Sequence, residues 1–85
     1  MKNHLIKRSF RLAGHATSIA LEAEFWAVLE AAAAQRGQSL AALVAEVDTN
    51  RAAQGLPLAS ALRLAALVHA HTGQAEAIHQ DQSPD

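Results

Sequence analysis

The sequence predicts a mainly α-helical fold in which a short N-terminal β-strand leads into three helices, and in which two copies of the chain associate. Polar and apolar residues alternate from Ile6 to Leu12, which is the two-residue period of a strand. After Glu22 the apolar residues recur at helical intervals, and glycine and proline divide this part into three segments. A chain of 85 residues without cysteine buries only a modest core, so we expect it to form a dimer.

The N-terminal segment has two different faces. One face is apolar apart from Arg8, and the other carries Lys7, Ser9 and Arg11. The next residues, Ala13-Gly14-His15, indicate a turn or bulge because glycine adopts positive φ at little cost. The alternation resumes in residues 16–21, so two short strands and one kinked strand fit the pattern equally well.

The ends of the predicted helices are marked by their residue types. The first helix spans Glu22 to Arg36 and is followed by Gly37 as a stop signal. Ser39 is the predicted N-cap of a second helix that runs to about Ala53. The third helix is predicted from about Leu58 to His71, with Gly73 ending it. Its apolar stripe is expected to include Leu58, Leu62, Ala65 and Val68, widened by Leu64 and Leu67.

Charge is distributed unevenly although the net charge is only −1. Residues 1–21 contain four basic residues and no acid, whereas residues 22–85 contain three basic and eight acidic residues. Such asymmetry favours an anionic partner for the N-terminal segment, and a solvated basic tail is the alternative. No apolar run is long enough to span a bilayer or to form a signal peptide, so we expect a cytoplasmic protein without membrane contact.

The sequence does not indicate catalytic or metal chemistry. His69 and His71 are two residues apart on a predicted helix and do not face each other, and there is no cysteine to complete a zinc site. No serine lies in a strand-to-helix elbow of the kind that carries a nucleophile. We therefore predict no catalytic residues, no metal and no cofactor, and we expect that the protein is not an enzyme.

The adjacent aromatic residues Phe25 and Trp26 are compatible with a stacking platform for bases or with a core anchor. Their helical spacing favours the core, because Phe25 and Leu29 fall on one stripe. The residues predicted to form the core of the dimer are Ile19, Leu21, Phe25, Trp26, Leu29, Leu43, Val44 and Val47.

The predicted elements contain a series of short motifs in a specific order, namely KRSFR, GHATS, LEAEFW, RGQSLAAL and SALR. In these motifs and their order, residues 7 to about 67 resemble a bacterial family of ribbon-helix-helix proteins, which have the fold of the Arc and MetJ repressors. The resemblance implies an intertwined homodimer with an inter-chain antiparallel ribbon that lies in the major groove of double-stranded DNA. An unpaired strand also needs a backbone partner, which the same strand of a second chain would supply.

The resemblance also implies an organisation and a function. Residues 1–6 are expected to form a flexible basic arm, 7–54 the ribbon-helix-helix core, 55–72 an additional C-terminal helix and 73–85 a disordered tail. The expected function is transcription regulation, as a repressor. The alternative is an antitoxin or dimeric interaction module that neutralises a protein partner through the C-terminal helix. Two roles are open for the C-terminal helix. It covers the dimer core, or it forms a surface for a tetramer or for a protein partner.

Two segments compete for the role of the DNA-facing ribbon. By analogy with the family, residues 16–21 turn Ile19 and Leu21 to the core and Ser18, between two alanines, to DNA. This face has few groups for bidentate contacts to bases, so residues 7–12 are the other candidate, and both remain open. The N-terminus of the second helix is a candidate phosphate anchor. The predicted DNA-binding residues are Lys7, Arg8, Ser9, Arg11, His15, Thr17, Ser18 and Ser39.

Overall fold

The computed structural model describes residues 4–81 of the chain, and the side chains of residues 4–71. A two-stranded antiparallel sheet precedes three helices, as predicted for a mainly α fold with an N-terminal β element. The elements are β1 (Leu5–Leu12), β2 (His15–Glu22), α1 (Ala23–Gln35), α2 (Leu40–Gln54) and α3 (Leu58–Asp81). None of the helices in this part of the chain has the length and apolar character needed to cross a membrane.

The two strands form a hairpin within one chain, which decides between the two arrangements that the sequence left open. All eight residues of β1 pair with β2, from Leu5 opposite Glu22 to Leu12 opposite His15. The connection is a two-residue turn with φ of 52° at Ala13 and 83° at Gly14, and positive φ at both positions is what a type I′ turn requires. The hairpin begins at Leu5 and so includes two residues that were predicted to belong to a flexible arm, whereas residues 1–3 lie outside the described part.

This pairing changes the reason for expecting an inter-chain ribbon. The backbone of β2 already has a partner in β1, so a second chain is not needed to satisfy it. Within the described residues the other edge of β2 is unpaired. The inter-chain ribbon stays a prediction, but it is not required to give the strand a hydrogen-bonded partner.

The helix ends follow local sequence signals, as predicted. After α1, the amide of Gln38 donates to the Ala33 carbonyl over 2.9 Å and the amide of Gly37 donates to the Ala34 carbonyl over 3.1 Å. Gly37 has a φ of 69°, and this combination is the Schellman motif. The Ser39 hydroxyl accepts from the Ala42 amide over 3.0 Å as the N-cap of α2.

The core is closed within a single chain. Six of the eight residues predicted for the dimer core are buried there, and Phe25 and Val47 pack against them partly exposed. Trp26 joins the hairpin to α1, because its Nε1 donates to the Ile6 carbonyl over 2.7 Å and its ring lies 5.8 Å from that of Phe10. The buried six are Ile19, Leu21, Trp26, Leu29, Leu43 and Val44.

Helix α3 covers this core with one face and exposes another. Leu62 and Ala66 are fully buried against α1 and α2, which agrees with the reading in which this helix covers the core. Val68, on the same apolar stripe, is exposed to solvent. The predicted end at Gly73 is wrong, since α3 continues to Asp81. An internal glycine costs a helix only about 1 kcal/mol relative to alanine, and the following residues are good helix formers. The last four residues of the predicted disordered tail lie outside the described part.

Candidate nucleic-acid interface

One face of the hairpin points away from the helices, and we call it the outer face of the hairpin. Side chains alternate between the two faces of a strand, and the buried Leu12 and Ile19 belong to the face that packs on the helices. In each strand, the residues next to those of the buried face therefore point outward. The register places the basic segment beside the uncharged one, so both candidate ribbon segments contribute to a single surface. The facing pairs are Lys7 with Ala20, Ser9 with Ser18 and Arg11 with Ala16.

The outer face of the hairpin has a polar centre with a basic residue on each side. The Ser9 and Ser18 hydroxyl oxygens lie 2.9 Å apart and share a hydrogen bond. Lys7 and Arg11 are exposed, and within residues 4–71 neither forms an ion pair. Their positive charges are therefore available to an anionic ligand.

Three of the predicted DNA-binding residues belong to the opposite face of the hairpin. Arg8 forms an ion pair with Glu30 of α1, and its guanidinium lies 5.2 Å from the centre of the Trp26 ring. Thr17 is half-buried opposite Phe10. The sequence showed Arg8 interrupting an apolar face, and the ion pair and the ring contact explain how that face accommodates it.

The third residue of that face is His15, which pairs with Leu12 and is exposed at the start of β2, directly after the turn. Ser39 is exposed at the N-terminus of α2, where its hydroxyl is used as a cap. The first amide groups of a helix have no partner within the helix and are suited to bind an anion. The role of this site in binding phosphate stays a prediction.

An ion pair between the hairpin and α3 was missed by the sequence analysis. Arg63 Nε donates to Glu22 Oε1 over 3.1 Å and Nη2 donates to Oε2 over 3.5 Å, with the guanidinium 5.9 Å from the centre of the Phe25 ring. A hydrogen bond with the backbone of Glu22 and the Arg63 guanidinium lower the pKa of the Glu22 carboxyl below its ordinary value. The two residues are 41 positions apart, so no local spacing could have revealed the contact.

The class of β-ribbon DNA-binding domains places strands in a groove of DNA, and the major groove admits a two-stranded ribbon. The ribbon-helix-helix domain family matches residues 5–70 of this chain. The chain therefore belongs to the ribbon-helix-helix domain family. Domains of this family are regulatory DNA-binding modules or antitoxins rather than enzymes, and they generally bind DNA as dimers. Comparisons with curated proteins and with solved structures gave no match.

Proposed function

We propose that this protein is a homodimeric, sequence-specific DNA-binding regulator of transcription, and that it represses by occupying its site. The observation that carries this proposal is the outer face of the hairpin, where Lys7 and Arg11 are free of ion pairs within residues 4–71 and flank the Ser9–Ser18 pair. Membership of the ribbon-helix-helix family supports the same function.

The width of the hairpin suits the major groove. That groove is about 12 Å wide and admits a two-stranded ribbon. Here the strands of one chain supply both halves of such a ribbon. Pairing β2 with its copy would instead join four strands, and the outer two would lie about 14 Å apart before side chains are counted. A single hairpin therefore supports entry into the groove better than a sheet formed from two chains.

The chemistry of the outer face suggests how contacts are divided. Arginine binds the O6 and N7 acceptors of guanine, and serine donates to or accepts from either kind of base edge. We assign Arg11 and the Ser9–Ser18 pair to the bases, and we assign Lys7, His15 and Ser39 to phosphates. Arg8 and Thr17, which lie on the helix side, are assigned to support of the ribbon.

The test is a fluorescence titration of duplex DNA at several salt concentrations with the Arg11→Ala variant. Arg11→Ala should weaken binding and should also reduce the slope of log K against log salt by up to about 1, since the charge faces the DNA. The matched control is Arg8→Ala, which removes the same charge from the opposite face of the same strand and should change the slope less. Equal effects of the two variants, or no binding by the wild type at low salt, would contradict the proposal.

A second candidate function is an antitoxin or interaction module, and the exposed apolar side chains of α3 favour it. In that case a partner protein would cover Leu64, Leu67 and Val68. A toxin-sized reading frame beside the gene, together with co-purification of its product from the native host, would support this function. The absence of both would count against it.

A further inference from the structure

A charged contact joins helix α3 to the hairpin at the residue where β2 ends. The Arg63 guanidinium donates to both oxygens of the Glu22 carboxylate, over 3.1 and 3.5 Å. We propose that Arg63 is a positioning residue for DNA binding, which acts on the hairpin through Glu22 and does not contact DNA itself. This inference rests on the proposed function, because it concerns the same outer face of the hairpin.

The position of Glu22 in the hairpin explains why its charge matters. Glu22 is the only acidic residue between positions 5 and 22. Side chains alternate along a strand, so position 22 has the same parity in β2 as Ala20 and Ser18 of the outer face. Ala20 pairs with Lys7, and two residues span only about 6.6 Å along a strand. An uncompensated carboxylate at this position would therefore lower the positive potential of the face that meets DNA.

Arg63 compensates this charge from outside the hairpin. The side chains of Arg63 and Glu22 are 34% and 29% exposed, and the guanidinium also lies 5.9 Å from the centre of the Phe25 ring. Charges that are partly buried are screened less than exposed ones. By comparison, Arg36 and Glu46 form an ion pair in which both side chains are 46% exposed. The Glu22 carboxylate is therefore held toward α3, with its charge balanced.

The packing of α3 fixes the place from which Arg63 acts. Leu62, the residue before it, is buried, and so is Ala66, about one turn further along the helix. Both belong to the same core as Leu21, which is the residue before Glu22. Each partner of the ion pair therefore follows a buried residue of one core, and the contact has little freedom to shift.

The open end of the hairpin is held from both of its strands. On β1, Trp26 Nε1 donates to the Ile6 carbonyl over 2.7 Å, and Ile6 pairs with Leu21 of β2. On β2, Arg63 binds the next residue, Glu22. Removal of the Arg63 side chain leaves the Trp26 contact in place, so the hairpin should stay folded while the end of β2 gains freedom.

The experiment is a double-mutant cycle on the affinity for the same duplex DNA as in the test of the proposed function. Fluorescence titrations at one salt concentration give Kd for the wild type, Arg63→Met, Glu22→Gln and the double variant. Methionine keeps much of the apolar stem of arginine without its charge, and glutamine keeps the shape of glutamate without its charge. Circular dichroism melts establish a temperature at which all four proteins are folded, so that a loss of stability does not enter Kd.

The matched control is Arg36→Met. This variant also removes one positive charge from an ion pair, but the pair lies on the surface between the end of α1 and α2. Its Kd should equal that of the wild type, because neither Arg36 nor Glu46 belongs to the hairpin or contacts it through a hydrogen bond within residues 4–71.

We expect Arg63→Met to raise Kd about fivefold in the wild-type background, which is an ordinary coupling for residues in contact. The same change should have a much smaller effect when Glu22 is already glutamine, since Arg63 acts through that carboxylate. Equal losses in the two backgrounds would overturn the proposal and indicate that Arg63 contacts DNA itself.

Two other results would also overturn the proposal. An unchanged Kd for Arg63→Met would leave the ion pair a role in stability alone, and an equal loss for Arg36→Met would show that only net charge matters. These outcomes leave the proposed function intact, because the wild type still binds DNA in each of them. A wild type that binds no DNA would overturn the proposed function and this inference with it.

Discussion

At the scale of single residues, Glu22 connects three elements of the fold. It is the last residue of β2, it precedes α1, and its carboxylate accepts from Arg63 of α3. The lowered pKa means that the folded protein favours the ionised carboxylate more than the unfolded chain does. Glu22 should therefore stabilise the fold above the ordinary pKa of glutamate and lose this effect as the pH falls through the lowered folded value.

We predict that Glu22→Gln will reduce the dependence of stability on pH below about 5, since an unperturbed glutamate has a pKa of about 4.3. Urea unfolding midpoints measured from pH 7 down to pH 3 should fall less steeply for this variant than for the wild type. Glu24→Gln is the control, because Glu24 lies two residues further on in the first turn of α1, is exposed and has no ion-pair partner among residues 4–71. A Glu22→Gln profile parallel to that of the wild type would show that the ion pair does not contribute.

The residue scale also shows what a single sequence can reveal of the candidate site. Lys7, Ser9 and Arg11 were placed on one polar face because alternation along a strand is local. The ion pairs of Arg8 and Arg63 could not be predicted, because their partners Glu30 and Glu22 are 22 and 41 positions away. Each of these contacts depends on how the hairpin packs on the helices. The residue pattern within one element does not predict this packing.

At the scale of elements, the turn of the hairpin contains a residue that is poorly suited to its backbone conformation. Ala13 has a φ of 52°, a left-handed conformation that costs an L-residue with a Cβ roughly 1–2 kcal/mol. Asparagine tolerates this conformation, and Asn-Gly is the favoured pair for a type I′ turn.

We predict that Ala13→Asn will stabilise the protein by about 1 kcal/mol, which raises Tm by roughly 4–8 °C in a domain of this size. Differential scanning calorimetry at one protein concentration would measure the shift. Ala16→Asn serves as the control, because Ala16 is equally exposed but lies in β2, where asparagine is disfavoured. A fall in Tm for Ala13→Asn would show that the turn does not need the residue preference of type I′.

The helices illustrate which element features are local. Gly37 and Ser39 were recognised as end signals and act as such, because caps involve residues only a few positions apart. The sequence left the orientation of α3 open, because its apolar pattern is wide enough to fit two orientations. The buried positions of Leu62 and Ala66 select one of them.

At the scale of the whole molecule, the sequence and the structure give different reasons for dimerisation. The sequence suggested a second chain because the strand needed a partner and the core was small. In the structure the strand is paired within the chain, and the core joins the hairpin to all three helices. What remains open in the described residues is the unpaired edge of β2 and a set of exposed apolar side chains, which are features of the surface and not gaps in the core.

This difference predicts how stability should depend on protein concentration. An intertwined dimer often has no stable folded monomer, whereas a chain with a closed core should unfold on its own. We predict that the protein will unfold cooperatively at two concentrations about a hundredfold apart, and that its Tm will rise with concentration, because association stabilises only the folded chain. Circular dichroism melts at both concentrations provide the measurement. If the protein is unfolded at the lower concentration, the core of one chain is not sufficient, and an intertwined arrangement explains the protein better.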